Sequence, residues 1–147
     1  MASAKTYLVP VDFSKTSEAA LTYAIRLAKQ SKGKLLLLHV ISDSALMVSA
    51  HEGGTADMVL ELQRAMEESA AAGMTRLISR KRLRPGRYRS LILRGGPAQV
   101  IARQAKKSRA AMIVMGSHGR TGLKRLMLGS VAEQTLRYAE CPVLIVK

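Results

Sequence analysis

Residues 116–130 read Gly-Ser-His-Gly-Arg-Thr-Gly-Leu-Lys-Arg-Leu-Met-Leu-Gly-Ser, and they gather the residue types that can hold an anion. Gly116, Gly119 and Gly129 permit backbone shapes and close approaches that a side chain forbids. Gly129-Ser130 stands just before a helical pattern, and the first amides of a helix have no intrahelical acceptor, which makes that end an anion site. Ser117 and Ser130 add hydroxyls, and Arg120 adds a positive charge. Ser130 also opens Ser-Val-Ala-Glu, so a capping box with Glu133 is expected. A cap and a phosphate contact use the same helix end, and both are compatible here. The segment is not a P-loop, because it lacks the Gly-Lys-Ser/Thr ending, and its glycine spacing is not that of the dinucleotide fingerprint.

Asp12 is the second candidate for chemistry. It closes the apolar run of residues 6–11, within Pro10-Val11-Asp12-Phe13-Ser14. At the carboxyl end of a strand in an open parallel sheet, it faces the crevice where ligands bind. Capping the following turn is the plainer role for the same carboxylate. His39 sits inside an apolar run and reads as a satisfied core histidine. His118, in the glycine-rich segment, is the better contact candidate, through its backbone, and no partner arrangement makes it a general base. Cys141 before Pro142 reads as a small buried residue. Met58, Met66 and Met74 recur at a helical interval and read as core or interface filler. No Cys/His cluster suggests a structural metal.

These residues need elements to position them. Residues 6–11 (TYLVPV) read as a first strand and 17–31 as a helix with Leu21, Ile25 and Ala28 on one stripe. Residues 34–41 (KLLLLHVI) form a continuous apolar run, as in a strand covered on both faces. Residues 42–54 read as a loop and 55–80 as a helix, which Pro85-Gly86 follows as a breaker. Residues 89–94 form a third strand, 97–107 a helix with Pro97 at its first position, and 112–115 a fourth strand. A helix over 130–139 and a strand over 142–146 complete the chain. Strands alternating with helices, with no hairpin signal, imply a parallel sheet with helices on both faces.

Composition sets the outer bounds. The 147 residues suit one domain, and a chain of this size buries roughly 68–70% of its unfolded surface. A hydrophobic content of 48% excludes disorder, and the single cysteine excludes an internal disulfide scaffold. No apolar stretch suggests a membrane span, and the N-terminus does not read as a signal peptide, so a cytoplasmic location is expected. The net charge of +14 is lopsided: residues 69–132 carry 15 basic residues and no acidic one. The densest part, Arg76 to Arg94, would attract phosphates, nucleic acid or anionic lipid. Sequence-specific nucleic-acid reading is not expected, since no helix-turn-helix, zinc or RNA-binding signature accompanies the charge.

Gly116, two residues, Gly119, nine residues, then Gly129-Ser130 resembles the pattern of the ATP-binding universal stress proteins. The strings VPVDFS, LLLLHVI, MIVMGSHGRTGLKRLMLGSVAE and CPVLIVK are similar to that family in the same order along nearly the whole chain. The resemblance implies a single Rossmann-like α/β domain over 1–147, with a five-stranded parallel sheet of order 3-2-1-4-5. It implies ATP across the ends of strands one and four, with Asp12 on ribose or phosphate, directly or through Mg²⁺ bound to the nucleotide. Pro10, Val11, Phe13 and Ser14 would line the same turn, and Val40 would hold adenine. Met115, Gly116, Ser117, His118, Gly119 and Arg120 would wrap ribose and phosphates, and Gly129, Ser130 and Val131 would bind phosphates. A homodimer through Val143–Val146 is also implied. The basic run around Arg80 to Arg89 has no counterpart in the family motif. A nucleotide-dependent regulatory module for stress response is therefore the first expectation. A slow Mg-dependent ATPase and a basic protein binding nucleic acid through Arg76 to Arg94 are the alternatives.

Overall fold

The computed structural model describes residues 4–119 and 127–147. The strands are β1 (Thr6–Pro10), β2 (Lys34–Ile41), β3 (Tyr88–Arg94), β4 (Met112–Gly116) and β5 (Val143–Val146). The helices are α1 (Lys15–Ser31), α2 (Ser44–His51), α3 (Ala56–Arg80), α4 (Pro97–Lys107) and α5 (Ser130–Tyr138). All strand pairs are parallel, in the order β3-β2-β1-β4-β5. The expected α/β architecture and strand order are thus present.

Alternation along each strand divides the core into two layers. Tyr7, Val9, Leu35, Leu37 and Val114 face α1 and α3, meeting Leu21, Ala24, Met74 and Leu77. Leu8, Leu36, Leu38, Ile113 and Met115 face α4 and α5, meeting Val100, Ile101, Ala105 and Ala132. Successive side chains of a strand point to opposite faces, so a strand buried on both sides must be apolar throughout. Leu35 to Leu38 are four consecutive buried leucines for that reason.

Three local expectations are corrected. Residues 42–54 are not all loop, because Ser44–His51 forms α2, in which Leu46 alone is buried. With one buried side chain there is no apolar stripe for a periodicity argument to detect. α1 begins at Lys15 rather than residue 17, because Ser14 is its N-cap and accepts from the Ser17 amide at 3.3 Å. The capping box at Ser130 is absent. Gly129 is the N-cap, Ser130 is the first helical residue, and Glu133 instead pairs with Arg137 at 2.8 Å.

α3 is longer than the sheet needs. Its second half packs through Ala70, Gly73, Met74 and Leu77, whereas the first half is mostly exposed, Met58 included. Arg80 and Lys81 at its end reach Glu18 of α1, tying the two helices of that layer together.

Candidate functional site

The parallel sheet brings the carboxyl ends of β1, β2 and β4 to one edge, and a cleft of about 440 Å³ opens there. A cleft of that size suits a small organic ligand. Pro10, Val11, Asp12, Val40, Met115, Gly116, Ser117, His118, Gly119, Gly129, Ser130 and Val131 all line it. These residues come from four separate stretches of the chain. Ser17, Leu38, Ser42, Pro97, Ile101 and Ala132 line it as well and were not singled out from the sequence. Ser17 had a signal: it lies one turn into the helix that follows Asp12. Leu38 and Ile101 carry none, because their sequence pattern is that of ordinary core. Arg120 lies outside the described residues.

The floor between β1 and α1 is a tight turn. Phe13 takes φ of 66°, a left-handed conformation rare for an aromatic residue. That twist lets Asp12 Oδ1 accept from the Ser14 amide at 3.0 Å and from the Ser14 hydroxyl. Asp12 therefore does cap its own turn, and it also lines the cleft. Phe13 and Ser14 stand off the cleft wall. Ser14 caps α1, while the Phe13 ring stacks on His39 with centroids 4.7 Å apart and rests against Gly73. His39 Nδ1–H donates to the Val11 carbonyl at 2.7 Å, the satisfied histidine expected. A second recess of about 430 Å³ shares Asp12, Val40 and Ser42 with the cleft and runs behind Phe13 toward Met66 and Ala70.

The glycine-rich wall is held by contacts that need missing side chains. A Cβ on Gly116 would sit 2.8 Å from the Thr16 carbonyl carbon, so the start of α1 crosses the end of β4 at backbone distance. A Cβ on Gly129 would sit 3.1 Å from the Ser117 carbonyl oxygen, which already accepts from the Gly129 amide at 2.7 Å. Thr16 Oγ1 donates to the His118 carbonyl at 2.5 Å, and the Ser117 amide donates to the Val146 carbonyl at 2.9 Å. Ser117 Oγ and His118 Nδ1 are hydrogen-bonded at 2.7 Å. Residues 117–119 are thereby anchored to α1, β5 and the start of α5.

The chemistry of the cleft divides along its length. Leu38 and Val40 of β2, Ile101 of α4 and Met115 of β4 supply its apolar walls. On the other side α5 points its N-terminus inward. Gly129 provides no side-chain cap, so the amides of Ser130, Val131 and Ala132 are left over from intrahelical bonding. The helix dipole places about half a positive charge there. Asp12 is the sole carboxylate among the described lining residues, and no group of three metal-ligating side chains occurs among the described residues. Cys141 lies away from the cleft, half-buried, with its thiol pKa pushed up by desolvation.

The sequence profile of the universal stress protein family matches residues 4–147. Universal stress protein MJ0531 of Methanocaldococcus jannaschii is 33% identical, over 97% of this chain and 82% of that protein. Universal stress protein MJ0577 of the same organism is 29% identical, over 97% of this chain and 94% of that protein. The solved structure of MJ0577 superposes with a TM-score of 0.83, at 31% identity, covering 97% and 95% of the two chains. A universal stress protein solved in complex with cAMP shares the fold at a TM-score of 0.60 and 22% identity, covering 99% and 98%.

Proposed function

This chain belongs to the universal stress protein family, and from that premise we propose that it binds ATP in the cleft at the ends of β1 and β4 and acts as a cytoplasmic, nucleotide-dependent regulatory module. One observation carries the reading: the uncapped N-terminus of α5, the close-packed Gly116–Gly119 wall and Asp12 converge on one 440 Å³ cleft whose opposite end is apolar. An adenine ring suits the apolar end, between Val40 and Met115. A triphosphate suits the amides of Ser130 and Val131, because free helix amides and the dipole both favour negative charge. The cAMP complex of a protein with the same fold is in keeping with a purine nucleotide as ligand class.

Asp12 fits a supporting role toward Mg²⁺. A magnesium ion is usually held by one or two carboxylates together with substrate phosphates, and the cleft offers one carboxylate. Such an ion would neutralise phosphate charge next to Asp12. The second part of the proposal is assembly. β5 is an edge strand of four half-buried apolar residues, and a second copy of the chain would cover it.

Titration calorimetry with ATP tests the binding role. The protein is expected to bind, and Gly129→Val to lose at least about tenfold in affinity, since the added side chain enters the Ser117–Gly119 backbone. Unchanged affinity in a folded Gly129→Val protein would rule out this loop as the phosphate site.

A further inference from the structure

The basic half of the sequence is redistributed by the fold. Arg80 and Lys81 are tied to Glu18, and Arg94 is tied to Asp43 and Glu67 at the cleft end of the sheet. Arg84, Arg87, Lys107 and Arg109 join Lys5, Lys32 and Lys34 from distant parts of the chain at the opposite end, where the strands begin. The Lys34 amide donates to the Lys5 carbonyl at 2.8 Å, the Leu35 amide to the Arg87 carbonyl at 3.0 Å, and the Ala111 amide to the Thr6 carbonyl at 2.8 Å. These bonds set the segments before β1, β2, β3 and β4 side by side. The end they form carries Lys5, Lys32, Lys34, Arg84, Arg87, Lys107 and Arg109, all exposed and none in an ion pair among the described residues. The one carboxylate described at this end, Glu140, is held by Lys106 at 2.7 Å.

Helix dipoles account for part of this. α1, α3, α4 and α5 all end toward this side, and cations beside helix C-termini are favourable. Lys32 and Arg109 occupy left-handed positions just past α1 and α4, where glycine is the commoner choice. Four C-termini amount to about −2 charges, against seven cations. About five positive charges remain uncompensated.

We propose that this end of the sheet is a docking surface for the phosphate backbone of duplex nucleic acid, without sequence preference. Four neighbouring strands at about 4.8 Å spacing spread the seven cations over roughly 14 Å. That is about one charge per 2 Å, close to the one per ~1.7 Å of axis that a duplex carries. Three of the seven are arginines, whose planar forks match phosphate oxygens. The face has no run of aromatic side chains on which successive unpaired bases could stack, since Tyr88 is half-buried in the core and Tyr138 is a single exposed ring. It also offers little to insert into a bilayer: of the exposed large apolar side chains described, only Leu136 and Tyr138, in the last turn of α5, stand near this end. The surface lies at the opposite end from the cleft, so it stands or falls apart from ATP binding.

Fluorescence anisotropy with labelled random-sequence DNA and RNA duplexes tests it. The expected result is binding to either duplex, with log K falling against log salt at a slope of about −4 to −6. Arg84→Glu/Arg87→Glu and Lys5→Glu/Lys107→Glu should each cost at least about tenfold at ~50 mM salt. Arg26→Glu/Arg64→Glu makes the same change of net charge on the helix flanks and should retain the affinity, with all variants shown folded by circular dichroism. No duplex binding, an equal loss in the flank variant, or binding to phosphatidylserine vesicles in place of duplexes would overturn the proposal.

Discussion

A methyl group at Gly116 would meet the Thr16 carbonyl carbon at 2.8 Å and the Ser17 amide nitrogen at 2.9 Å. Both are backbone atoms at the start of a helix and cannot rotate aside. Overpacking of this kind typically costs 1–3 kcal/mol, so Gly116→Ala should lose about 2 kcal/mol in urea denaturation. An unchanged midpoint would mean that α1 does not approach β4 so closely. The spacing of Gly116, Gly119 and Gly129 was readable in the chain, but the cause was not, because the atoms that exclude a side chain from Gly116 lie about a hundred residues earlier. The Ser130 cap failed for a more local reason. Ser-x-x-Glu signals a cap only if serine is the residue before the helix, and the extended backbone of Gly129 moves that position back by one. Asp12 shows the opposite outcome, since its two candidate roles need not exclude each other: one oxygen holds the turn while the residue lines the cleft.

Strands were the most legible elements, because burial on both faces demands unbroken apolar runs. All five lie within two residues of the positions the sequence indicates. α2 was illegible because it buries almost nothing, and α3 was legible over its packed half through Ala70 and Leu77. The Pro142 and Val146 carbonyls accept from the Ile113 and Ser117 amides, so even-numbered residues of β5 bond inward to β4. The Ile145 amide therefore points outward, where a partner strand would pair. Proline at an outward-facing edge position removes a donor that β4 does not use. In sedimentation velocity the parent is expected to sediment as a dimer and Ile145→Pro as a folded monomer. A monomeric parent, or a folded Ile145→Pro protein that sediments as the parent does, would exclude β5 as the interface.

At the scale of the molecule, the fold sorts charge by end. Among the described residues, nine of the ten acidic side chains lie away from the start of the strands, and Glu140 is the exception. A linear count places the basic excess in one half of the sequence, with Arg76 to Arg94 as its centre. The structure breaks that run apart and builds a new surface from Lys5, Lys34, Arg87 and Arg109, a grouping that strand order alone creates. The cleft at the other end was assembled the same way, from the strand-end positions that a parallel sheet gathers at one edge. Native mass spectrometry of freshly purified protein decides whether ATP occupies that cleft. A species heavier by one adenine nucleotide per chain is expected, absent from Gly129→Val. A parent protein that stays at its apo mass with ATP in excess would contradict ATP binding there.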